Sequence, residues 1–402
     1  MPSKKSRSRA ILNLCGLSVL LCPLMGLMGC DSFFTKQSSN NTPTNTGDSV
    51  YVANGANTFI AGFAVSSTGT LSVLPNAPYN NGVAALSLTL TPKNTFLYAG
   101  TSNGIYLYAI GSNGALTVQN NGNPVAQDVI ATQLTVDSTG TYLLAAGLGS
   151  STQAQGIGIY QIASSTGLLT AVSGSPLNLF TGTGTTPTVL TPTGLLITPN
   201  NQIVYVSLAA LGVQVLTLGS GGALSTGSAA TILPPTSKST SPADYGLASD
   251  PNSHFLFLAE INTGLRVLSI GTNGALTEIT GSPYSVGSGP TGVILDPTGV
   301  YVYVANKGSN NISAFTLNAS SGQLTAIAGS PFNSVGQLPI AFANDSSKKY
   351  LAVINSGSNG SSGNNDLQLF KYSTSTPGAL TAGTSASTGT DPTNPQAIVA
   401  TH

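Results

Sequence analysis

Charge is the scarcest property of this sequence. Asp, Glu, Lys and Arg make up 6% of its 402 residues, against about 25% in ordinary soluble domains. Beyond residue 30 there are 8 Lys plus Arg against 12 Asp plus Glu, a balance of −4. Nothing in that balance grips nucleic acid or an anionic membrane by charge. All three cysteines (Cys15, Cys22, Cys30) lie in the first thirty residues, so the rest of the chain forms no disulfide and is held by packing alone. The two histidines are His254 and His402. No His/Cys cluster is present for zinc or a redox metal, and a Ser-His-Asp triad would need one of these two beside an activated serine. The acidic turns "DPTG" and "DPNS" lack the Asp-x-Asp spacing of a calcium loop; their single Asp answers a turn preference. No Gly-rich stretch follows a strand and opens a helix. No cofactor and no metal are expected.

What is abundant is punctuation. The chain carries 47 Gly and many "TG", "NG" and "SG" pairs separating apolar runs of four to seven residues, too short and too interrupted for helices. The stretch "YVANGANTFIAGF" at 51–63 returns as "YVANKGSNNISAF" at 303–315, and equivalent positions fall at Tyr51, Tyr98, Leu144, Tyr205, Phe257, Tyr303 and Ala352. The sixth copy is the clearest: Gly292 to Leu295, a turn, Val300 to Ala305, a loop, Ile312 to Leu317, a turn, and Leu324 to Ala328. That is a four-stranded meander. One meander leaves two apolar faces bare and is not stable alone, whereas seven around an axis cover one another. A two-sheet sandwich is the all-β alternative, and a uniform sevenfold repeat argues against it. The prediction is an all-β, seven-bladed propeller of four-stranded antiparallel blades over residues 49–402, almost without helix. The repeat region opens on a second-strand sequence, "SVYVAN", and ends on a first-strand sequence, "NPQAIVATH", so the last strand is expected to complete the first blade and close the ring.

Residues 1–29 read as a secretory leader: Lys4, Lys5, Arg7 and Arg9, an apolar run from Ile11 to Met28, then "LMGC". The Leu-x-Gly-Cys ending resembles the lipobox of bacterial lipoproteins, which implies that Cys30 is lipidated and becomes the first residue of the mature chain. The alternative is an uncleaved membrane helix, at the lower length limit and interrupted by Pro23. Residues 30–48 are polar and read as a flexible tether. The expectation is an exported cell-envelope lipoprotein, periplasm-facing or at the cell surface, reaching the membrane through its lipid alone, with no nucleic-acid partner, and a monomer.

Loop lengths divide the two faces of such a disc. The first-to-second-strand turns are nearly constant ("TPKN", "DSTG", "TPNN", "DPNS", "DPTG"), while the loops at 147–156, 177–194, 233–244 and 356–366 on the other face are long and variable. Binding residues are more often carried on such loops, so a protein, glycan or small-molecule ligand is expected at that mouth of the central channel.

The recurring "P-x-G … D-P-x-G-x-Y-x-Y-V-A-N … N-x-I-S-x-F … G-x-L-T … G-S-P" over residues 49–402 resembles the seven-bladed lactonase-like propellers, which include propeller-type 6-phosphogluconolactonases and muconate-lactonising enzymes and overlap with YVTN-repeat surface proteins. Enzymes of that family show Gly-Pro-Arg-His opening a first strand and Asn-Glu closing the next. Here "SPADYG" (241–246) and "LAE" (258–260) stand there. Glu260 matches the family glutamate, whereas Asp244 and Tyr245 replace Arg and His; the sixth copy has "GPTG" and, at 306–307, "NK". Counting from the turns places Asp244 opposite Ala259, beside Glu260, and Arg266 near the same level. One reading is a cross-strand ion pair of Glu260 with Arg266, Asp244 remaining solvated. The other is a site, with Glu260 as general base for water attack on a lactone and Arg266 orienting a carboxylate or carbonyl oxygen. Two functions follow: a non-catalytic lipid-anchored binding propeller using its long-loop face, taken as the main expectation, or a 6-phosphogluconolactonase-like lactone hydrolase.

Overall fold

The structure, a computed structural model, describes residues 48–402 apart from 56, 81, 148–155, 182–187, 190–191, 209–210, 227–231, 234–244, 358–365 and 390–394. The predicted leader and tether, Cys30 included, and Asp244 lie outside the described residues. Among the described residues seven antiparallel sheets of four or five strands follow one another along the chain, each in the strand order of a meander. Blade 2 is representative: Ala85–Leu90, Phe96–Thr101, Gly104–Ile110 and Leu116–Val118. In the sixth copy the strands are Pro290–Leu295, Tyr301–Asn306, Asn311–Leu317 and Leu324–Ala326, within two residues of the predicted boundaries. Among the described residues helix is confined to single 3-10 turns such as Asn120–Gly122.

Closure is as expected. Pro395–Ala400 pairs antiparallel with Ser49–Asn54, Tyr51 opposite Val399 and Val52 opposite Ile398. The last strand therefore becomes the first strand of blade 1, and the seam has no open edge there. The Ser49 and Thr401 backbones bond across the same junction, the Thr401 N–H donating to the Ser49 carbonyl at 2.9 Å.

The second strands explain the stacking. Side chains alternate across a strand, so in blade 1 Val50 and Val52 pack with Tyr350, Ala352 and Leu369 of blade 7, while Tyr51 and Ala53 pack with Leu97, Ala99 and Tyr106 of blade 2. Seven such apolar clusters, one between each pair of neighbouring blades, make up the core. Each blade is a filling between two others, which is why these strands are apolar on both faces rather than alternating.

A second device recurs at the third-to-fourth-strand turn. The glycine of "G-x-L-T" adopts positive φ, as at Gly167 (+72) and Gly378 (+81), and a Cβ on either would collide with the preceding blade, on Phe96 and on Tyr301. The strand residue two places after each contact is the tyrosine of "YVAN", and its buried phenol donates to the same glycine's carbonyl: Tyr98 to Gly167 at 2.7 Å and Tyr303 to Gly378 at 2.9 Å. Tyr51 bonds Gly114 (2.7 Å) and Tyr205 bonds Gly274 (3.1 Å) likewise. Glycine is needed there twice over, for the left-handed turn and for the close approach. Burial raises all four phenols above their ordinary pKa.

The remaining motifs have equally local causes. The turn aspartates use their carboxylates on backbone: Asp296 accepts from the Val300 and Tyr301 N–H groups at 2.9 and 2.7 Å, and Asp345 from Lys349 and Tyr350. The serine of "G-S-P" accepts from a third-strand N–H that the short fourth strand does not reach, Ser330 from Ala314 at 2.8 Å and Ser175 from Ile159 at 2.9 Å. Further out, among the described residues the crossover adds a two-residue strand to three blades, such as Phe332–Asn333 on Asn311–Ile312. The predicted loop at 177–194 contains a small hairpin, Phe180–Thr181 with Thr188–Val189. Sequence reading missed these pieces because two residues carry no period.

Replacing Tyr303 by Phe keeps the packing and leaves the buried Gly378 carbonyl without its donor. A loss of about 1–3 kcal/mol in chemical denaturation is expected; an unchanged midpoint would show that the inter-blade bond contributes nothing.

Candidate functional site

Blade 5 holds the charged residues singled out above. Its strands are Tyr245–Ser249, Phe255–Glu260, Gly264–Ile270 and Leu276–Glu278. The turn between the first two is fixed by Asp250, whose carboxylate accepts from the His254 and Phe255 N–H groups at 2.6 Å each. Four residues, Pro251 to His254, therefore form the turn. The register that follows sets Tyr245 opposite Glu260 and Gly246 opposite Ala259. This corrects the expected pairing of Asp244 with Ala259, which a two-residue turn would have produced; Asp244 precedes Tyr245 in sequence and lies outside the described residues.

Across the next loop Glu260 pairs with Gly264 and Leu258 with Arg266. Glu260 and Arg266 are thus diagonal neighbours on one face, within reach of long side chains. Leu256, Leu258 and Leu268 on that face pack with Tyr205 and Val213 of blade 4, so alternation turns Glu260 and Arg266 toward blade 4 as well. Both are buried, at 3% and 4% exposure.

The predicted ion pair forms, and it has a third member. The Arg266 Nη1 donates to Glu260 Oε1 at 2.9 Å. Its other edge grips Glu278, Nη2 to Oε2 at 2.9 Å and Nε to Oε1 at 3.3 Å. Ser282 donates to Glu278 Oε1 at 2.8 Å and accepts the Val267 N–H at 3.0 Å. The three charges run outward across the second, third and fourth strands as carboxylate, guanidinium, carboxylate. Glu278 was not singled out in the sequence. Comparing copies reveals it: the corresponding outer-strand residue is Val73, Val118, Ala171, Ala326 or Ala382 elsewhere.

The electrostatics follow from this order. Burial opposes the charge on Arg266, and the bonds to Glu278 and Glu260 outweigh it, holding the guanidinium above its ordinary pKa. Burial likewise opposes ionisation of Glu278, yet the hydrogen bonds from Arg266 and Ser282 hold its carboxyl below the ordinary value. Glu278 binds Arg266 through both oxygens, and Glu260 accepts from Arg266 Nη1 through Oε1. Glu260 and Arg266 are buried while Glu278 is partly exposed, so truncating either member of the inner pair costs about 3–5 kcal/mol, because a buried charge is left without its partner.

The position of Glu260 has a counterpart in every blade. The same register position is Asn54, Thr101, Asn306 and Asn355 in blades 1, 2, 6 and 7, each essentially buried. The sixth-copy counterpart is Asn306 rather than the neighbouring Lys307. In blade 6 the Asn306 amide donates to Asn311 Oδ1 at 2.7 Å and Ser313 Oγ at 2.9 Å. Blade 5 places an ion set where blade 6 places neutral amides and a hydroxyl.

The histidines stand elsewhere. His254 is on the constant-turn face with its side chain 63% exposed and its Nδ1 4.0 Å from Asp250. It borders a depression of about 680 Å³ with Phe255, Ser269 and Thr280. The Ser269 hydroxyl there donates to the Thr277 carbonyl at 3.2 Å, which does not make the contact a triad requires. His402 bonds through its backbone N–H to Asn94.

The depressed carboxyl of Glu278 sets a pH dependence. Its contribution to stability is complete above the ordinary carboxylate pKa of about 4.3 and is lost as pH falls through the lower folded value. The wild-type protein is therefore expected to lose stability more steeply below about pH 4 than Glu278→Gln, read from melting temperatures between pH 6 and 3; parallel profiles would contradict the assignment.

Comparison with known proteins agrees with the architecture. Residues 88–376 match the family described as "Lactonase, 7-bladed beta-propeller". A search of curated protein sequences found no match. Among solved structures, the chain is similar to a candidate 6-phosphogluconolactonase from Bacteroides fragilis, with 18% identity, TM-score 0.65, covering 89% of this chain and 99% of that one. A candidate 6-phosphogluconolactonase from Bacteroides uniformis gives 18%, 0.64, 88% and 99%. The periplasmic gluconolactonase of Pseudomonas aeruginosa gives 17%, 0.66, 88% and 99%. At these identities the structural likeness speaks for the fold. With the family match over most of the repeat region and seven closed blades, this chain belongs to the seven-bladed β-propeller lactonase family.

Proposed function

We propose that this propeller hydrolyses a lactone, with Glu260 as the general base. Water attacks the lactone carbonyl carbon as Glu260 takes its proton; the ring C–O bond then breaks and the proton passes to the departing oxygen, giving a hydroxy acid. Arg266 orients the carbonyl oxygen as negative charge develops on it. The observation that carries this reading is the placement of Glu260, the innermost carboxylate of a buried ion set, at a position that holds neutral side chains in other blades of a lactonase-family chain. Glu278 takes two of the Arg266 N–H groups, and Glu260 holds a third, at Nη1.

A second reading is supported by the burial itself. A carboxylate 3% exposed and bonded to arginine suits a structural strut, and the long-loop face would then serve a protein or glycan partner without chemistry. Under either reading the protein is proposed to be exported and held to the membrane by lipid on Cys30, from the Leu-x-Gly-Cys sequence. Labelled palmitate is expected in the wild-type protein and absent from Cys30→Ser; equal labelling of both would remove the anchor.

The two functional readings separate on a panel of γ- and δ-lactones. Turnover reduced about 10²–10⁴-fold in Glu260→Gln, with the fold intact by circular dichroism, is the expected result. Undiminished turnover in that variant would dismiss Glu260 as the base.

A further inference from the structure

We infer that the substrate of this site is an uncharged lactone and that Glu278 is the residue that sets this preference. The inference rests on the hydrolase reading above and deepens it. Its basis is charge counting across the contact between blades 4 and 5. Two carboxylates and one guanidinium leave the Glu260–Arg266–Glu278 set one negative charge in excess. The set faces blade 4, and residues 138–237, which contain every described strand of that blade, have no Asp, Glu, Lys, Arg or His. The described strands of the facing blade therefore carry no charge that would offset the excess.

The arginine could receive an anionic substrate only if it were released from its partners. Arg266 is the sole arginine beyond residue 30, and its outer edge is closed by a two-point contact with Glu278, the geometry in which arginine otherwise receives a phosphate or carboxylate. Glu278 thus occupies the place of an anionic substrate group. Ser282 holds it there, with a hydroxyl that is itself pinned by the Val267 N–H. A phosphate brought near this set meets a net negative field that salt screens in part, since the Glu278 side chain is 32% exposed. A neutral polyhydroxy lactone meets no such penalty, and its hydroxyls suit the amides and hydroxyls that line the same level in other blades.

The test compares glucono-δ-lactone with 6-phosphogluconolactone on the purified chain at low and high salt. The expected result is a kcat/KM at least about tenfold higher for the neutral lactone, with the gap narrowing as salt screens the repulsion. Glu278→Gln should move the ratio toward the phosphorylated lactone by about tenfold, as removal of one close charge does; a purely structural role would lower both activities together and leave their ratio unchanged. A wild-type preference for the phosphorylated lactone, lost in Lys307→Gln on the neighbouring loop of the sixth blade, would overturn this inference and keep the hydrolase. An unchanged ratio in Glu278→Gln would remove Glu278 as its determinant. Failure to turn over either lactone would remove the hydrolase reading, and this inference with it.

Discussion

Everything in this molecule depends on blades covering one another. A single four-stranded blade here has apolar residues on both faces of its second strand, so it has no solvent side and no stable existence alone. The repeated glycine turn is what lets neighbours approach closely. It presents a bare backbone carbonyl to the preceding blade, and the tyrosine of "YVAN" both fills the space and donates to that carbonyl. Packing and hydrogen bonding are satisfied by one residue pair, Tyr98 with Gly167 or Tyr303 with Gly378. In blades 3, 5 and 7 the position is Leu144, Phe257 or Ala352, where packing continues without the bond.

This scaffold explains why so little charge is needed and why the charge that remains is informative. The strands bury their middles between blades, so a polar side chain at the end of a second strand enters an inter-blade crevice. Neutral amides fill that level at Asn306 and Asn355 at the modest cost of local hydrogen bonds. An ion set costs more in desolvation and is weak evidence of stability. Its presence in blade 5, as Glu260, Arg266 and Glu278, and the absence of any charge along residues 138–237 of the chain, give this one crevice an electrostatic character of its own.

Much of the fold was legible because its signals are local and repeated. Aligning "YVAN" marked the second strand of all seven blades, and the seven blade sheets observed are those. The half-blades at the two ends of the repeat region pair as "SVYVAN" and "NPQAIVATH" required. The sites were less legible, since side-chain meeting depends on register. A two-residue error in the length of one turn displaced Asp244 against Ala259, because the carboxylate of Asp250 widens that turn by capping two N–H groups. The Glu260–Arg266 pair survived the error, as its own loop is short enough to count. Glu278 escaped notice because it is twelve residues beyond Arg266 and on another strand.

The amino-acid order by itself determined blade number, strand order and ring closure, since turn residues and apolar runs act within about fifty residues and the same pattern recurs around the ring. Only the tertiary structure decided which charges meet. That choice depends on strand register, on which face each residue turns to its neighbour, and on the fourth strand folding back to bring Glu278 against Arg266. Those are relations across the sheet, and they come into existence when the blades stack.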